Sequence, residues 1–223
     1  MCLDGERVAA AKRVYIALNK PRGIVVSAAD ERGRDTVYEL LSGSDLPWLG
    51  PVGRLDRASE GLLLLSNDSA WAARLTDPRH HVDKTYHVQI DAIPDQGLLD
   101  QMIHGIADKG ERLSAKHVSL LRTGEKHAWL EIVLDEGRNR HIRRLLAAQG
   151  INVLRLIRIA IGNLALGELA KGHWRHLTAD EVAHLAGNEE GERNIAKPSR
   201  VPALPAKSAR SRRGNVPDPG RRR

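Results

Sequence analysis

Gly53-Arg54-Leu55-Asp56-Arg57 is followed, after four residues, by the apolar run Leu62-Leu63-Leu64-Leu65. Four consecutive leucines bounded by polar residues are typical of a short buried strand. Asp56 lies between two arginines just before that strand, so neighbouring cations are expected to keep its carboxylate ionised. Taken alone, the string favours a carboxylate that pairs with an arginine in a surface turn. A catalytic carboxylate is the alternative, and the rest of the chain decides between the two.

Three further segments lie in a fixed order around this stretch. They are residues 19–23 (Asn-Lys-Pro-Arg-Gly), 84–88 (Lys-Thr-Tyr-His-Val) and 136–144 (Glu-Gly-Arg-Asn-Arg-His-Ile-Arg-Arg). Together with residues 53–57 they resemble the motifs of the RNA pseudouridine synthases, and the resemblance spans about residues 14–178. It is strongest to the branch that modifies ribosomal RNA, and within it to large-subunit members that lack an N-terminal RNA-binding S4 domain.

The resemblance implies both a fold and a reaction. The fold is α+β, with a mainly antiparallel mixed sheet and flanking helices in two subdomains around a central cleft. The reaction breaks the bond between ribose and the uracil N1 nitrogen, turns the base and rejoins it through the C5 carbon, so no cofactor and no metal is expected. The expected partner is ribosomal RNA, with a single target uridine in 23S rRNA or a pre-50S particle. We expect the enzyme to act as a monomer.

The resemblance also assigns roles within the site. Asp56 is the catalytic carboxylate, and Arg143 is expected to hold it ionised through two parallel hydrogen bonds. Tyr86 is expected to pack against the target base and to offer its hydroxyl for proton transfer. Lys20 and Pro21 are expected to shape the fold near the site.

Five arginines are expected to bind the substrate RNA. A uridine in folded RNA must leave its stack before the carboxylate reaches its ribose, and a planar guanidinium can fill the gap. The resemblance gives that part to the arginine before Leu-Asp. The predicted RNA-binding set is Arg54, Arg57, Arg138, Arg140 and Arg144. The third motif often carries glutamine where this chain has His141, which we leave out of the catalytic set.

Composition bounds the remaining possibilities. With 223 residues, 41% of them apolar and no phenylalanine, the chain can build one core from Leu, Ile, Val and Ala. No apolar run approaches the roughly 20 residues that span a bilayer, and residues 1–13 lack a signal-peptide core. A cytoplasmic protein without a membrane partner is therefore expected. The lone Cys2 and the lack of zinc-type Cys/His spacing favour a reducing compartment and a metal-free domain.

The net charge of +7 is unevenly distributed along the chain. Residues 187–223 hold ten Lys and Arg against four Asp and Glu, a net charge of +6, together with five prolines. This composition predicts a disordered basic tail, either solvated filler or an electrostatic tether to RNA. The predicted organisation is a leader over 1–13, a catalytic domain over 14–186 and the tail over 187–223.

Periodicity and capping residues predict the elements of the catalytic domain. The predicted strands cover residues 14–19, 24–27, 62–65, 84–91, 115–122, 127–135 and one or two within 152–166. Predicted helices follow the capping residues Thr36, Asp68, Asp95 and Thr178, and one further helix opens near Asn139. Residues 105–114 give only a weak signal.

Two other function classes compete with this interpretation. A non-catalytic RNA-binding or ribosome-assembly protein would need only the basic helix and the tail, but the Asp56, Tyr86 and Arg143 set argues against it. A glycoside hydrolase or nucleosidase would show a second acid as proton donor, or metal ligands, and the sequence identifies neither.

Overall fold

The computed structural model describes residues 2–3, 6–7, 12–27 and 33–187. Its strands are β1 (Cys2–Leu3), β2 (Glu6–Arg7), β3 (Tyr15–Lys20), β4 (Gly50–Val52), β5 (Glu60–Ser66), β6 (Lys84–Ile90), β7 (Ile106–Asp108), β8 (Glu111–Leu113), β9 (His117–Thr123), β10 (Ala128–Leu134), β11 (Val153–Ile161), β12 (Leu164–Ala165) and β13 (Trp174–His176). The α-helices are α1 (Ser69–Thr76), α2 (Gln96–His104), α3 (His141–Ala147) and α4 (Ala179–Leu185). Short 3-10 helices cover Val37–Leu41 and Pro78–His80.

One sheet of nine strands organises this part of the chain. Its order is β13-β3-β5-β11-β6-β10-β9, with β12 paired to β11 and β4 paired to β5. The pairings are antiparallel except for β5 and β11, which run parallel. Two small hairpins, β1-β2 and β7-β8, lie outside it. The expected α+β architecture with a mainly antiparallel sheet is confirmed.

The sequence pattern explains which strands lie inside. All seven residues of β5 are buried, as the leucine run predicts for a strand covered on both faces. In β10 the alternate residues Ala128, Leu130, Ile132 and Leu134 are buried, which is the period-2 pattern of a strand with one covered face.

Capping residues begin most of the helices as predicted. The Asp68 side chain accepts a hydrogen bond from the Trp71 amide at the start of α1, and Asp95 does the same for Leu98 in α2. Thr178 begins α4 through a capping box with Glu181.

Two apolar cores meet at the cleft. One lies under α2 and α3 and includes Leu130, Ile132 and Leu145, while the other lies between β5, α1 and α4 and includes Leu64. Side chains from both cores line a single cavity, so the sheet brings the sequence motifs together where the cores adjoin.

Three local predictions need correction. Residues 24–27 do not form a strand, because Val25 makes only an isolated bridge to Thr36. The helix predicted to open near Asn139 begins at His141, since Arg140 before it has a left-handed backbone with φ of 50°. Residues 105–114, where the signal was weak, contain the β7-β8 hairpin.

The termini are described only in part. Within the predicted leader, Cys2–Leu3 pairs with Glu6–Arg7, and Arg13 forms an ion pair with Asp68 at 3.2 Å. The predicted basic tail lies outside the described residues, apart from Gly187. In the described part of the chain, no helix is long and apolar enough to cross a membrane.

Candidate active site

A cavity of about 270 Å³ opens beside the Asp56 loop. Residues from β4, the loop 53–59, β6, the loop 137–140, α3 and β11 line it. Asp56 is its one carboxylate, whereas six cationic side chains line the same space: Arg54, Lys84, Arg138, Arg140, Arg143 and Arg158. The cavity therefore fits a ligand that is negatively charged overall and that places one electron-poor atom next to Asp56.

The main chain around Asp56 is held by the buried ammonium of Lys20, which is 0% exposed. Its Nζ donates hydrogen bonds to the carbonyl oxygens of Pro21 at 3.0 Å, Asp56 at 3.2 Å and Ser59 at 2.9 Å. Burial lowers the pKa of Lys20 to about 8, although Asp56 and Glu60 act to raise it. Three charge-assisted bonds make this lysine a fixed support for the loop.

Arg158 ties the two ends of the same loop together. Its Nε donates to the Leu62 carbonyl at 2.7 Å, and its Nη1 donates to the Arg54 carbonyl at 3.4 Å. The side chain is only 5% exposed, and Nη2 is buried without a partner. The sequence places Arg158 in a basic stretch that has no acid between Glu136 and Glu168 and predicts a phosphate-binding surface there, but it does not indicate this role at the loop.

Gly61 permits the close approach of loop and strand. Its φ is +102°, a conformation that favours glycine. A Cβ at this position would lie 2.2 Å from the Arg158 carbonyl oxygen, inside any real contact distance. The glycine is therefore required for β5 to pair with β11 in parallel at this point.

Arg143 does not form the predicted two-bond pair with Asp56. Its Nη1 donates to the Val153 carbonyl and its Nη2 to the Ala58 carbonyl, each at 3.2 Å. Burial lowers the pKa of Arg143, and Arg140 lowers it further, while Asp56 lies near enough to raise it. The arginine that does pair with the carboxylate is Arg140, with Nη1 3.6 Å from Oδ2 of Asp56.

Tyr86 and Lys84 belong to the same wall of the cavity. They are two residues apart on β6 and therefore share a face of the sheet. Tyr86 lies opposite Ile132 on one side and Arg158 on the other. It packs against the core under α2 and α3 and is half-buried, as expected for a ring with one edge in the cleft.

Comparison with known proteins decides the family. The sequence model described as RNA pseudouridylate synthase matches residues 14–148. The chain belongs to the RNA pseudouridylate synthase family. It is 38% identical over 177 residues to ribosomal large subunit pseudouridine synthase E of Xanthomonas campestris pv. campestris, covering 73% of this chain and 94% of the relative. It is 36% identical over 186 residues to ribosomal large subunit pseudouridine synthase B of Bacillus subtilis, covering 82% and 75%.

A solved structure supports the same assignment. A crystal structure of a pseudouridylate synthase superposes with a TM-score of 0.69 at 33% identity, covering 78% of this chain and 74% of that chain. The predictions of family, fold class and enzyme character are therefore confirmed, and the predicted resemblance to large-subunit members of the family is borne out by relatives named synthase E and synthase B.

The predicted RNA-binding arginines of this pseudouridylate synthase divide into two groups. Arg54, Arg138 and Arg140 are exposed and line the cavity, although Arg138 also pairs with Glu136 at 3.0 Å and donates to the Arg112 carbonyl at 3.0 Å. Arg57 instead donates to the Gly23 carbonyl at 2.8 Å. Arg144 is engaged by Asp108 at 2.6 Å and Glu111 at 2.7 Å, so an RNA contact would require these ion pairs to break. We keep Arg54, Arg138 and Arg140 as candidate RNA contacts because they line the cavity, whereas Arg57 and Arg144 do not.

His141, the departure from the usual glutamine, lies at the start of α3 with only 3% of its surface exposed. Neither ring nitrogen makes a hydrogen bond of good geometry with a described residue, although the Ser114 backbone lies close, and Nδ1 lies 3.8 Å from a Glu136 carboxylate oxygen. Burial lowers the pKa of His141, and Glu136 only partly opposes this. The imidazole is therefore neutral at pH 7 and supplies no charge to the synthase site.

Glu60 is a second feature that sequence analysis missed. Its carboxylate is buried and accepts hydrogen bonds from Arg155 at 3.1 Å and Lys171 at 2.5 Å. Burial acts to raise the pKa of Glu60, but these two hydrogen bonds outweigh it and hold the pKa below its usual value. Within the described ranges, no group of three or more His, Cys, Asp or Glu side chains is placed to hold a metal ion.

Proposed function

We propose that the protein converts a uridine of ribosomal RNA to pseudouridine, with Asp56 as the catalytic carboxylate. The observation that carries the proposal is the cavity in which Asp56 is the one acid among six cations, on a loop whose backbone is held by buried cations. The Asp56 side chain is 36% exposed in this cavity, so a ligand that enters meets the carboxylate directly.

The reaction needs an anion at the sugar. When the bond between ribose and the N1 nitrogen breaks, positive character develops at the C1′ carbon of the ribose. Asp56 stabilises that charge or forms a bond to the carbon, as the carboxylates of glycoside chemistry do. Its neighbour Arg140 attracts the carboxylate, but at 3.6 Å and with both side chains partly exposed the pair is weak enough to open.

The base must also be retained while it turns. Tyr86 packs against the flipped uracil and offers its hydroxyl for proton transfer. Arg54 is exposed at the cavity mouth, where its guanidinium can fill the gap that the flipped base leaves in the RNA. Arg138 and Arg140 lie beside it and bind phosphates of the same strand.

The substrate class follows from the relatives. Two relatives that each match more than two thirds of this chain are named large-subunit synthases, E and B. We therefore propose 23S rRNA, free or in a pre-50S particle, as the substrate, with a single target uridine and a monomeric enzyme. The competing class, a non-catalytic RNA-binding protein on this fold, would not need a carboxylate held inside a cavity.

Tritium release tests the proposal. RNA transcribed from large-subunit ribosomal genes with 5-tritiated uridine should release tritium to water with this protein, in the presence of a metal chelator. Pseudouridine mapping of the same RNA should then show one modified position. Binding of the RNA without tritium release would favour the non-catalytic class, and release that depends on a metal would contradict the proposed chemistry.

A further inference from the structure

Lys84 is a cavity-lining cation that has no partner. Its side chain is half-buried, and its ammonium forms no hydrogen bond and no ion pair with any residue that the structure describes. By contrast Lys20, Arg143 and Arg158 all donate to backbone carbonyls. An unpaired charge in a partly buried site is unfavourable, and an anion that binds there recovers part of that free energy.

Charges of both signs act on Lys84. Burial lowers the pKa of Lys84, and the neighbouring Arg158 lowers it further. Asp83 and Asp135 act in the opposite direction from outside hydrogen-bonding distance, and neither lines the cavity. Among the described residues, no carboxylate lies within ion-pairing distance of this ammonium, so an anion in the cavity could bind it without displacing a partner.

The strand geometry places Lys84 next to Tyr86, the residue proposed to pack against the base. Lys84 and Tyr86 lie on one face of β6, and their Cα atoms are roughly 7 Å apart by the rise of a strand. Lys84 lies between Leu134 of β10 and Ile161 of β11, so its flanks are apolar. A planar ring that packs against Tyr86 would present the oxygens on its edge to this ammonium.

We infer that Lys84 binds the uracil ring as an anion after the ring has detached from the ribose. The inference rests on the proposed function and deepens it, because it assigns to the cavity a group that holds the intermediate base. Phosphate of the RNA backbone is the other anion available, but we assign phosphate binding to the exposed arginines that line the cavity.

The step balances as an isomerisation. The bond between C1′ and N1 breaks with its electron pair going to N1, which leaves the base as an anion and C1′ held by the Asp56 carboxylate. After the ring turns, its C5 carbon attacks C1′ and displaces the carboxylate. The C5 proton is lost to a base and N1 takes up a proton. Lys84 acts only on the anion, by a charge-assisted hydrogen bond to a ring oxygen.

Three variants separate charge from shape. Lys84→Met keeps the length of the side chain and removes its charge, Lys84→Arg keeps the charge, and Lys126→Met removes an exposed charge from the turn between β9 and β10. With uridine RNA at saturating enzyme, Lys84→Met should lower the single-turnover rate about 100-fold. Lys84→Arg should retain most of the rate, and Lys126→Met should match the wild type.

The leaving group supplies a readout that a merely structural role would not change. Fluorine at C5 makes uracil more acidic, so its anion leaves with less help from the protein. Cleavage of 5-fluorouridine RNA, followed as loss of the nucleoside after digestion, should therefore show a penalty for Lys84→Met of about 10-fold or less. Salt dependence of RNA binding should be unchanged in this variant, whereas a phosphate contact would lower the slope by about one.

The outcomes separate this inference from the proposed function. An inactive wild type would contradict the proposed function itself. An active wild type with an equally active Lys84→Met, or an equal loss on uridine and 5-fluorouridine RNA, would overturn the role of Lys84 and leave the function standing. A reduced salt slope would reassign Lys84 to the RNA backbone. Lys84→Met should unfold at or above the wild-type temperature, because it removes an unpaired charge, and this would show that the losses are not due to misfolding.

Discussion

The ammonium nitrogen of Lys20 lies 3.2 Å from the backbone carbonyl oxygen of Asp56 and donates a hydrogen bond to it. The same nitrogen reaches the carbonyl of Ser59, so one buried cation fixes the main chain on both sides of the turn. The Asp56 side chain remains 36% exposed. The loop is therefore rigid where it needs support and open where a substrate would meet the carboxylate.

Replacing Lys20 by methionine should destabilise the fold. The change leaves three backbone carbonyls without their donor in a buried place, and a loss of about 2–4 kcal/mol in the free energy of unfolding is expected. Urea unfolding followed by circular dichroism measures it. Lys126→Met, at an exposed turn, should change stability by less than about 0.5 kcal/mol. A Lys20 variant as stable as that control would contradict the supporting role.

The stability contribution of Lys20 should also depend on pH. Its pKa is about 8 in the folded protein, below the ordinary value of 10.5, so between these two values the unfolded chain binds more protons. Folded-state stability due to this residue therefore rises as pH increases from about 8 to 10.5. The difference in unfolding free energy between wild type and Lys20→Met should widen in favour of the wild type over that interval. A gap that narrows would show that the folded pKa is not lowered.

Arg143 and Arg140 should respond differently to replacement by lysine. Arg143 holds the carbonyls of Ala58 and Val153 with two separate nitrogens, and a single ammonium cannot reproduce both bonds. Arg143→Lys should reduce the single-turnover rate by about 10-fold or more. Arg140→Lys keeps a single-contact charge near Asp56 and should stay within about 3-fold of the wild type. Equal effects of the two changes would mean that Arg143 acts on Asp56 through its charge alone.

Gly61 offers a test of the loop's packing with a matched control. Gly61→Ala places a Cβ 2.2 Å from the Arg158 backbone, and it forces alanine into a backbone with φ of +102°, which L side chains rarely adopt. We therefore expect the free energy of unfolding to fall by at least about 3 kcal/mol. Gly97, the second residue of α2, has no positive φ, and a Cβ there would make only an ordinary contact with the Asp95 side chain at 3.5 Å, so Gly97→Ala should be neutral or stabilise by up to about 1 kcal/mol. Comparable melting temperatures for the two variants would contradict this account.

Much of the fold was accessible from local pattern. The run Leu62-Leu63-Leu64-Leu65 predicted a buried strand, and Asp68 and Asp95 predicted helix starts, because burial periodicity and capping depend on neighbouring residues only. The hairpin at 106–113 was missed since its strands are three residues long and mostly exposed. The pairing of β5 with β11 joins residues nearly a hundred positions apart and has no local signal.

In the site, too, the sequence indicated residues that belong to motifs but not the contacts that form between distant parts of the chain. Motif resemblance indicated Asp56, Tyr86 and Lys20. In the structure Asp56 and Tyr86 line one cavity, and Lys20 donates a hydrogen bond to the Asp56 carbonyl behind it. The motif resemblance could not show whether Arg140 or Arg143 pairs with the Asp56 carboxylate, because that pairing depends on the left-handed backbone at Arg140. The role of Arg158 at the loop is shown only by its hydrogen bond across the sheet to the Leu62 carbonyl, which no motif spacing reveals.

The most direct test of the central claim is tritium release by Asp56→Asn. The amide has nearly the same shape as the carboxylate but cannot stabilise or bond to the positive sugar carbon, and it leaves the Lys20 bond to the backbone carbonyl in place. With 5-tritiated uridine in ribosomal RNA, the wild type should release tritium while Asp56→Asn releases none, although both bind the RNA with similar affinity. Tritium release by Asp56→Asn at a rate near that of the wild type would contradict the assignment of Asp56 as the catalytic carboxylate.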